Sequence, residues 1–452
     1  MKGSKCLSIP YLIVFLASLH ISFSVVSIEA WSSSHRNNYH HQKHENGRSW
    51  HHGPTPVAPS PPSYDSNTFN ALIKAWEAAC EVEGGTVEIP AGYTFFIRPL
   101  TLQGPCMPGL LLKIDGTIVA PPEISSWSES ELLEWINIKW VQNFTIQGNG
   151  LIDGRGSEWW DFSKALRFYS SLDVTVRDIR IVNSPQCHLK FDSSARVKVL
   201  NVSLYSPEDS PNTDGIHLQE TTDVEISHST IACGDDCISI QTGCSNVHVH
   251  HITCGPGHGI SLGGLGRNGS FACVSDIVVE NIRMHATQFG VRIKTWQGGK
   301  GSVKNVSFSS IRVSNVKVPL DINQYYCENH NNCENLTGTV AISNIEFSRI
   351  WGTYSGQPIL FTCSDEVPCV NVNLVDVQLK PTMSHNRGGR IHQALCQNSY
   401  GKTESPLMPS SIHHCLRGMS GVAEVGVQNP HEELCQYQLG RSSSVDLTSS
   451  VP

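Results

Sequence analysis

Four short groups carry the residue types in this chain that could do chemistry together: Asn212-Thr213-Asp214, Gly234-Asp235-Asp236, Gly257-His258-Gly259 and Arg292-Ile293-Lys294. The interval between the first three is nearly constant, as it would be if each lay one coil further along a solenoid and stacked on the last. Three carboxylates, one imidazole and two cations would then share a patch. Close like charges raise the pKa of one acid and keep a proton available, while an ionised neighbour can activate water or attack an electrophile. An Arg fork beside a Lys suits a carboxylated ligand better than a neutral one. Outward charge on a strand is usually a solvated face, but crowding this many titratable groups costs stability, which favours a site.

The elements that must position these groups are short strands. An apolar residue followed by others at plus two and plus five recurs at Val174/Val176/Ile179, Val197/Val199/Val202, Val247/Val249/Ile252, Ile277/Val279/Ile282, Val306/Phe308/Ile311, Ile345/Phe347/Ile350 and Val372/Leu374/Val377; Val224/Ile226 joins the series but breaks it at Ser229. Apolar pairs punctuate the same coils at Ile216/Leu218, Ile238/Ile240, Ile260/Leu262, Val291/Ile293 and Leu320/Ile322. Alternation by two marks strands with one face in a core, and the recurrence predicts an all-β fold: a single right-handed parallel β-helix. A β-propeller is the alternative, disfavoured because the repeat is too short for four-stranded blades. Strands about 4.8 Å apart would align Asp214, Asp236 and His258 across three coils, with Arg292 and Lys294 outward and Ile293 inward. Residues Asp65 to Cys80, with Phe69, Leu72, Ile73 and Trp76 at helical spacing, predict a short N-terminal capping helix ended by Gly84-Gly85. Such a cap covers the open edge of a solenoid.

Residues 1–28 read as a secretory signal peptide, with Lys2 and Lys5 before an apolar run; a signal anchor is the alternative. Residues 29–63, rich in His and Pro, have too little apolar surface to fold and read as a disordered linker. The β-helix domain is expected over 64–435 and a disordered tail over 436–452. The net charge of −8 argues against nucleic acid or an anionic membrane as partner, and no stretch after the leader is long enough to span a bilayer. Sixteen cysteines and sequons at Asn143, Asn201, Asn268, Asn305 and Asn335 fit an oxidising, extracellular destination. Spacing suggests Cys237–Cys254, Cys327–Cys333 and Cys363–Cys369 disulfides; no Cys-x-x-Cys supports zinc, and no metal or cofactor is expected.

The four groups, in this order and spacing, resemble the signature of the polygalacturonases of glycoside hydrolase family 28, most of all the plant members. The similarity runs from the capping helix to about Leu379, with one departure at Gly264, where the family often has Ser. The resemblance implies a monomeric, secreted enzyme of the cell wall that hydrolyses α-1,4-galacturonosyl linkages of pectin with inversion, within the chain. Glycosidic hydrolysis needs one acid for the leaving oxygen and one carboxylate for water or direct attack. By resemblance, Asp235 is the general acid, Asp214 and Asp236 activate water, and His258 tunes the acid's protonation. Asn212, Arg292, Lys294 and Tyr325 would bind the galacturonate substrate. Gly257 and Gly259 either let substrate approach the backbone or serve a turn. Exo cleavage, rhamnogalacturonan hydrolysis, a calcium-dependent lyase and an inactive pectin-binding wall protein are the competing readings.

Overall fold

Val174 and Val176 point inward along the strand Leu172–Arg177, Asp178 turns the chain at a φ of 58°, and Ile179 re-enters the core. This corner explains the plus-two, plus-five pattern. The equivalent residues Asn201, His228, His251, Asn281, Ser310, Arg349 and Asp376 all have positive φ, as do the residues just before each set, from Asp173 to Asn371. Asn and Asp tolerate this region best because short polar side chains can bond locally. Several of them bond up the stack instead: Asn246 donates to Asp223 at 2.6 Å, Asn305 to Asp276 at 3.0 Å and Asn371 to Asn344 at 3.1 Å. Ser229, which breaks the apolar series, still points inward. It is 2% exposed, and its hydroxyl donates to the Ser227 carbonyl and accepts from the Val202 N–H.

The computed structural model describes residues 25–27, 66–121, 135–158, 160, 166–327, 333, 336–382, 392–418 and 434–435. The expected leader apart from its strand Val25–Ser27, the 29–63 linker, the 436–452 tail and the Asn335 sequon lie outside the described residues. All strands pair in parallel, in an 11-stranded sheet running from Leu100–Gln103 to Leu395–Gln397 and a 20-stranded sheet. In early coils the larger sheet contributes two short strands per turn, such as Leu172–Arg177 and Arg180–Val182. From Phe271–His285 onward these fuse into one long bent strand. The fold is a parallel β-helix, as the alternation predicts.

Inside, identical positions stack: Phe168 on Phe191 at 4.7 Å and Phe308 on Phe347 at 5.2 Å between ring centroids. The helix Ser66–Cys80 caps the first coils with Leu72, Ala75, Trp76 and Ala79 buried, Trp76 also donating to the Gln103 carbonyl at 3.1 Å. The three expected disulfides are present, joined by Cys80–Cys106, Cys273–Cys435 and Cys396–Cys415. Cys187, Cys233 and Cys244 are free and buried.

Candidate active site

The site lies on the 11-stranded sheet, where Ile216, Ile238, Ile260, Val291 and Leu320 are successive register partners. Two residues before the first three of these stand Asp214, Asp236 and His258, so the expected three-coil alignment is present. The outward residues between the apolar pairs form a second row: His217, Ser239, Ser261, Arg292 and Asp321. Thr213 braces the row beneath, accepting the Gly234 N–H at 2.9 Å on its hydroxyl. His188, fully buried, places a ring nitrogen 3.0 Å from the Asp214 carbonyl and another 3.0 Å from the Ser206 hydroxyl. Burial lowers its pKa, so it serves as a neutral brace.

The three acids occupy different electrostatic environments. Asp236 is 2% exposed, and both its oxygens are committed: Oδ1 accepts from Ser261 at 2.6 Å and Arg292 at 3.1 Å, Oδ2 from Lys294 at 3.0 Å. Burial alone would raise its pKa, but the Lys294 and Arg292 charges and these hydrogen bonds hold it below the usual carboxylate range. Asp214 moves the other way. Burial pushes it up to about 6, aided by the charges of Asp235 and Asp236 and opposed by His217, whose ring nitrogen lies 3.0 Å from Oδ2. Asp235 uses Oδ1 for the Asp236 N–H at 2.8 Å and for His258 Nδ1 at 2.9 Å; its Oδ2 has no protein partner among the described residues.

These shifts have opposite signs in stability. Asp214, raised in the fold, stabilises fully below its unfolded value of 3.8, and the contribution is lost as pH rises through about 6. Asp236, lowered in the fold, stabilises above 3.8 and loses its contribution as pH falls below that value. Asp214→Asn is therefore expected to gain on the wild type between pH 4 and 6, by on the order of 2 kcal/mol, since one pKa unit corresponds to about 1.4 kcal/mol. Thermal melts at both pH values check this; a constant difference would mean that Asp214 is not buried as a proton-retaining acid.

All three acids face a groove of about 550 Å³ shared with Asn212, His258, Arg292 and Lys294. The tyrosine lining it is Tyr326, not Tyr325, which is half-buried with its backbone N–H bonded to Asn323. The physical reason is a bulge: Lys294 pairs with Asn323 but Trp296 pairs with Tyr326, which moves the groove-facing position one residue on. Trp296 also lines the groove, edge-on to Tyr326 at 5.3 Å. A Cβ at Gly264 would come within 2.6 Å of the Trp296 indole nitrogen, so the departure at Gly264 makes room for this ring. Gly259 has a φ of 89° and no space for a Cβ, which would lie 2.3 Å from the Gly290 carbonyl oxygen. Its role is coil packing.

Arg292 and Lys294 are each 7% exposed, and their direct ionic contacts go to Asp236. Both line the groove, and both help to hold Asp236 ionised. Asp321, which the sequence pattern does not single out, is 2% exposed beside Arg292, with Oδ1 unpartnered among the described residues and its pKa pushed by burial to about 7. Its place between Leu320 and Ile322 was the available signal. Two donor groups, Asp235/Asp236/His258 and Cys187/Asp214/His217, have ligand atoms within 4.8 Å of one another. A cation at the first would face the two that already neutralise Asp236.

A proton-retaining acid, a fixed ionised acid and a cation pair in one groove on a parallel β-helix define a hydrolase that works on a bond in an anionic polymer. Residues 80–398 match the family model described as glycosyl hydrolases family 28. The chain is 39% identical to a polygalacturonase of Persea americana over 76% of its own length and 78% of the relative's, and 36% identical to a polygalacturonase of Juniperus ashei over 77% and 71%. Its fold is similar to the polygalacturonase of Erwinia carotovora ssp. carotovora, with a TM-score of 0.62 at 22% identity, covering 79% of this chain and 99% of that one. The chain belongs to glycosyl hydrolase family 28.

Proposed function

We propose that this protein is a secreted polygalacturonase that cleaves α-1,4-galacturonosyl linkages within homogalacturonan in the plant cell wall, with inversion. Asp235 is the general acid, with Oδ2 unpartnered toward the groove and His258 on its other oxygen. Asp236 activates water, joined by Asp214 once it ionises above about pH 6. Arg292 and Lys294 supply the positive field that favours a galacturonate unit over a neutral hexose, and Asn212 and Tyr326 line its path. The observation that carries the reading is the commitment of both Asp236 oxygens to Ser261, Arg292 and Lys294. A carboxylate so tied is poorly placed to attack the anomeric carbon, but well placed to orient a water.

Spacing alone argues differently. Asp235 and Asp236 offer oxygens within 4.8 Å of each other. Inverting enzymes commonly keep the two carboxyl groups about 6.5–9.5 Å apart and retaining ones about 5–5.5 Å. Proton NMR of the first product decides between the two criteria: direct water attack on the α-linked polymer releases the β-anomer first, and an α-anomer would give Asp236 the nucleophile's role. Sizing the products of a defined oligogalacturonide tests cleavage within the chain; stepwise release of monomer alone would make the enzyme exo-acting.

A further inference from the structure

Arg283, Arg312 and Trp351 stand side by side on the outside of the larger sheet, away from the cleft's sheet. Each follows a left-handed corner, Asn281, Ser310 or Arg349, by two residues. Their neighbours Ile282 and Met284, Ile311 and Val313, and Ile350 are buried, so alternation turns all three outward. The strands pair Arg283 with Arg312 and Arg312 with Trp351, which sets them about 4.8 Å apart in one row. With His251, Asn281 and Ser310 they line a shallow groove of about 450 Å³. Arg349 adds a guanidinium at the rim, its Nε donating to the Ser310 hydroxyl at 3.1 Å.

Among the described residues no carboxylate lines this groove. Arg167, Arg177, Arg196 and Arg292 each have an acid partner, whereas Arg283 and Arg312 have none among the described residues. Stacking two unneutralised guanidiniums is unfavourable in the free protein, and an anion bridging them would relieve it. Trp351, 43% exposed, adds an apolar face of the kind that packs on a sugar ring. Carboxylates repeated along a chain of sugar rings answer both features at once. We propose that this groove binds a uronate-containing polysaccharide segment, a second point of attachment that holds the enzyme on its polymer while the cleft acts elsewhere. The identity of the polymer rests on the function proposed above; the anion-and-sugar chemistry of the groove does not.

The test is affinity electrophoresis of the full chain through gels containing polygalacturonate, with Asp235→Asn added to prevent digestion. Arg283→Ala/Arg312→Ala/Trp351→Ala in that background is expected to raise the apparent Kd at least about fivefold, the loss of a second tethered contact. Arg283→Lys/Arg312→Lys, which keeps the charge, is expected to retain most of the retardation and shows that the surface still folds. With Asp235 restored, the triple variant should keep the wild-type kcat/KM on a short oligogalacturonide and show a raised KM on the polymer. Retardation unchanged by the triple substitution overturns the proposal, as does equal retardation by neutral galactan or by duplex DNA. Groove-dependent retardation in a protein that fails to hydrolyse polygalacturonate would leave the groove standing and remove the proposed activity.

Discussion

Asp235→Asn is expected to lower kcat by about 10²–10⁴-fold, the usual contribution of a positioned general acid, while leaving the melting temperature and substrate Kd near wild type. Asn preserves the shape and can still accept the Asp236 N–H that now binds Oδ1 at 2.8 Å. What it lacks is a transferable proton. Asp236 cannot take over, because two cations hold it ionised. Steady-state kinetics on polygalacturonate with a binding measurement on the same preparation check this. A variant with more than about a tenth of wild-type kcat would remove Asp235 from the acid's role.

The alignment of Asp214, Asp236 and His258 was legible in the sequence because it needs only two quantities, the coil interval and alternation by two. Both survive in the structure as an unbroken register from Ile216 to Ile260. Tyr326 was not legible, since a bulge near Trp296 moves the phase by one residue and nothing in the local composition announces it. Nor was the partnership of Asp236 with Arg292 and Lys294. Those residues are separated by an intervening coil, and only long side chains reaching past Ser261 bring the charges together. Alternation told which way Arg292 and Lys294 point; how far they reach depends on burial. His188 escapes sequence reading as a single polar residue just before the strand Leu189–Asp192, and Asp321 because the row it ends, from His217 through Ser239, Ser261 and Arg292, mixes residue types.

This pairing gives the site its division of labour. Two carboxylates adjacent in sequence receive opposite treatment: Asp236 turns to the cations, and Asp235 turns to a histidine with one oxygen left for the groove. The dipeptide lies in the bend that leads into the strand Ile238–Ile240, and the turning chain takes the two carboxylates into different environments.

Lys294→Ala is expected to damage stability and catalysis together, which follows from that division. Removing one partner of a buried ion pair typically costs about 3–5 kcal/mol because the remaining charge is left uncompensated. Arg292 stays at 3.1 Å from Asp236, so the loss should fall toward the lower end of that range. The pKa of Asp236 should then rise, and the acidic limb of the activity profile on demethylated polygalacturonate should move to higher pH, with kcat/KM down by at least about 10²-fold. Asp236→Asn/Arg292→Met/Lys294→Met separates the two effects: it removes the whole buried charge cluster, so it should recover most of the lost melting temperature and none of the activity. A Lys294→Ala enzyme with unchanged stability would show that the ion pair is not maintained in solution. One with lowered stability but wild-type kcat/KM would make Lys294 purely structural and leave recognition of the sugar carboxylate to Arg292.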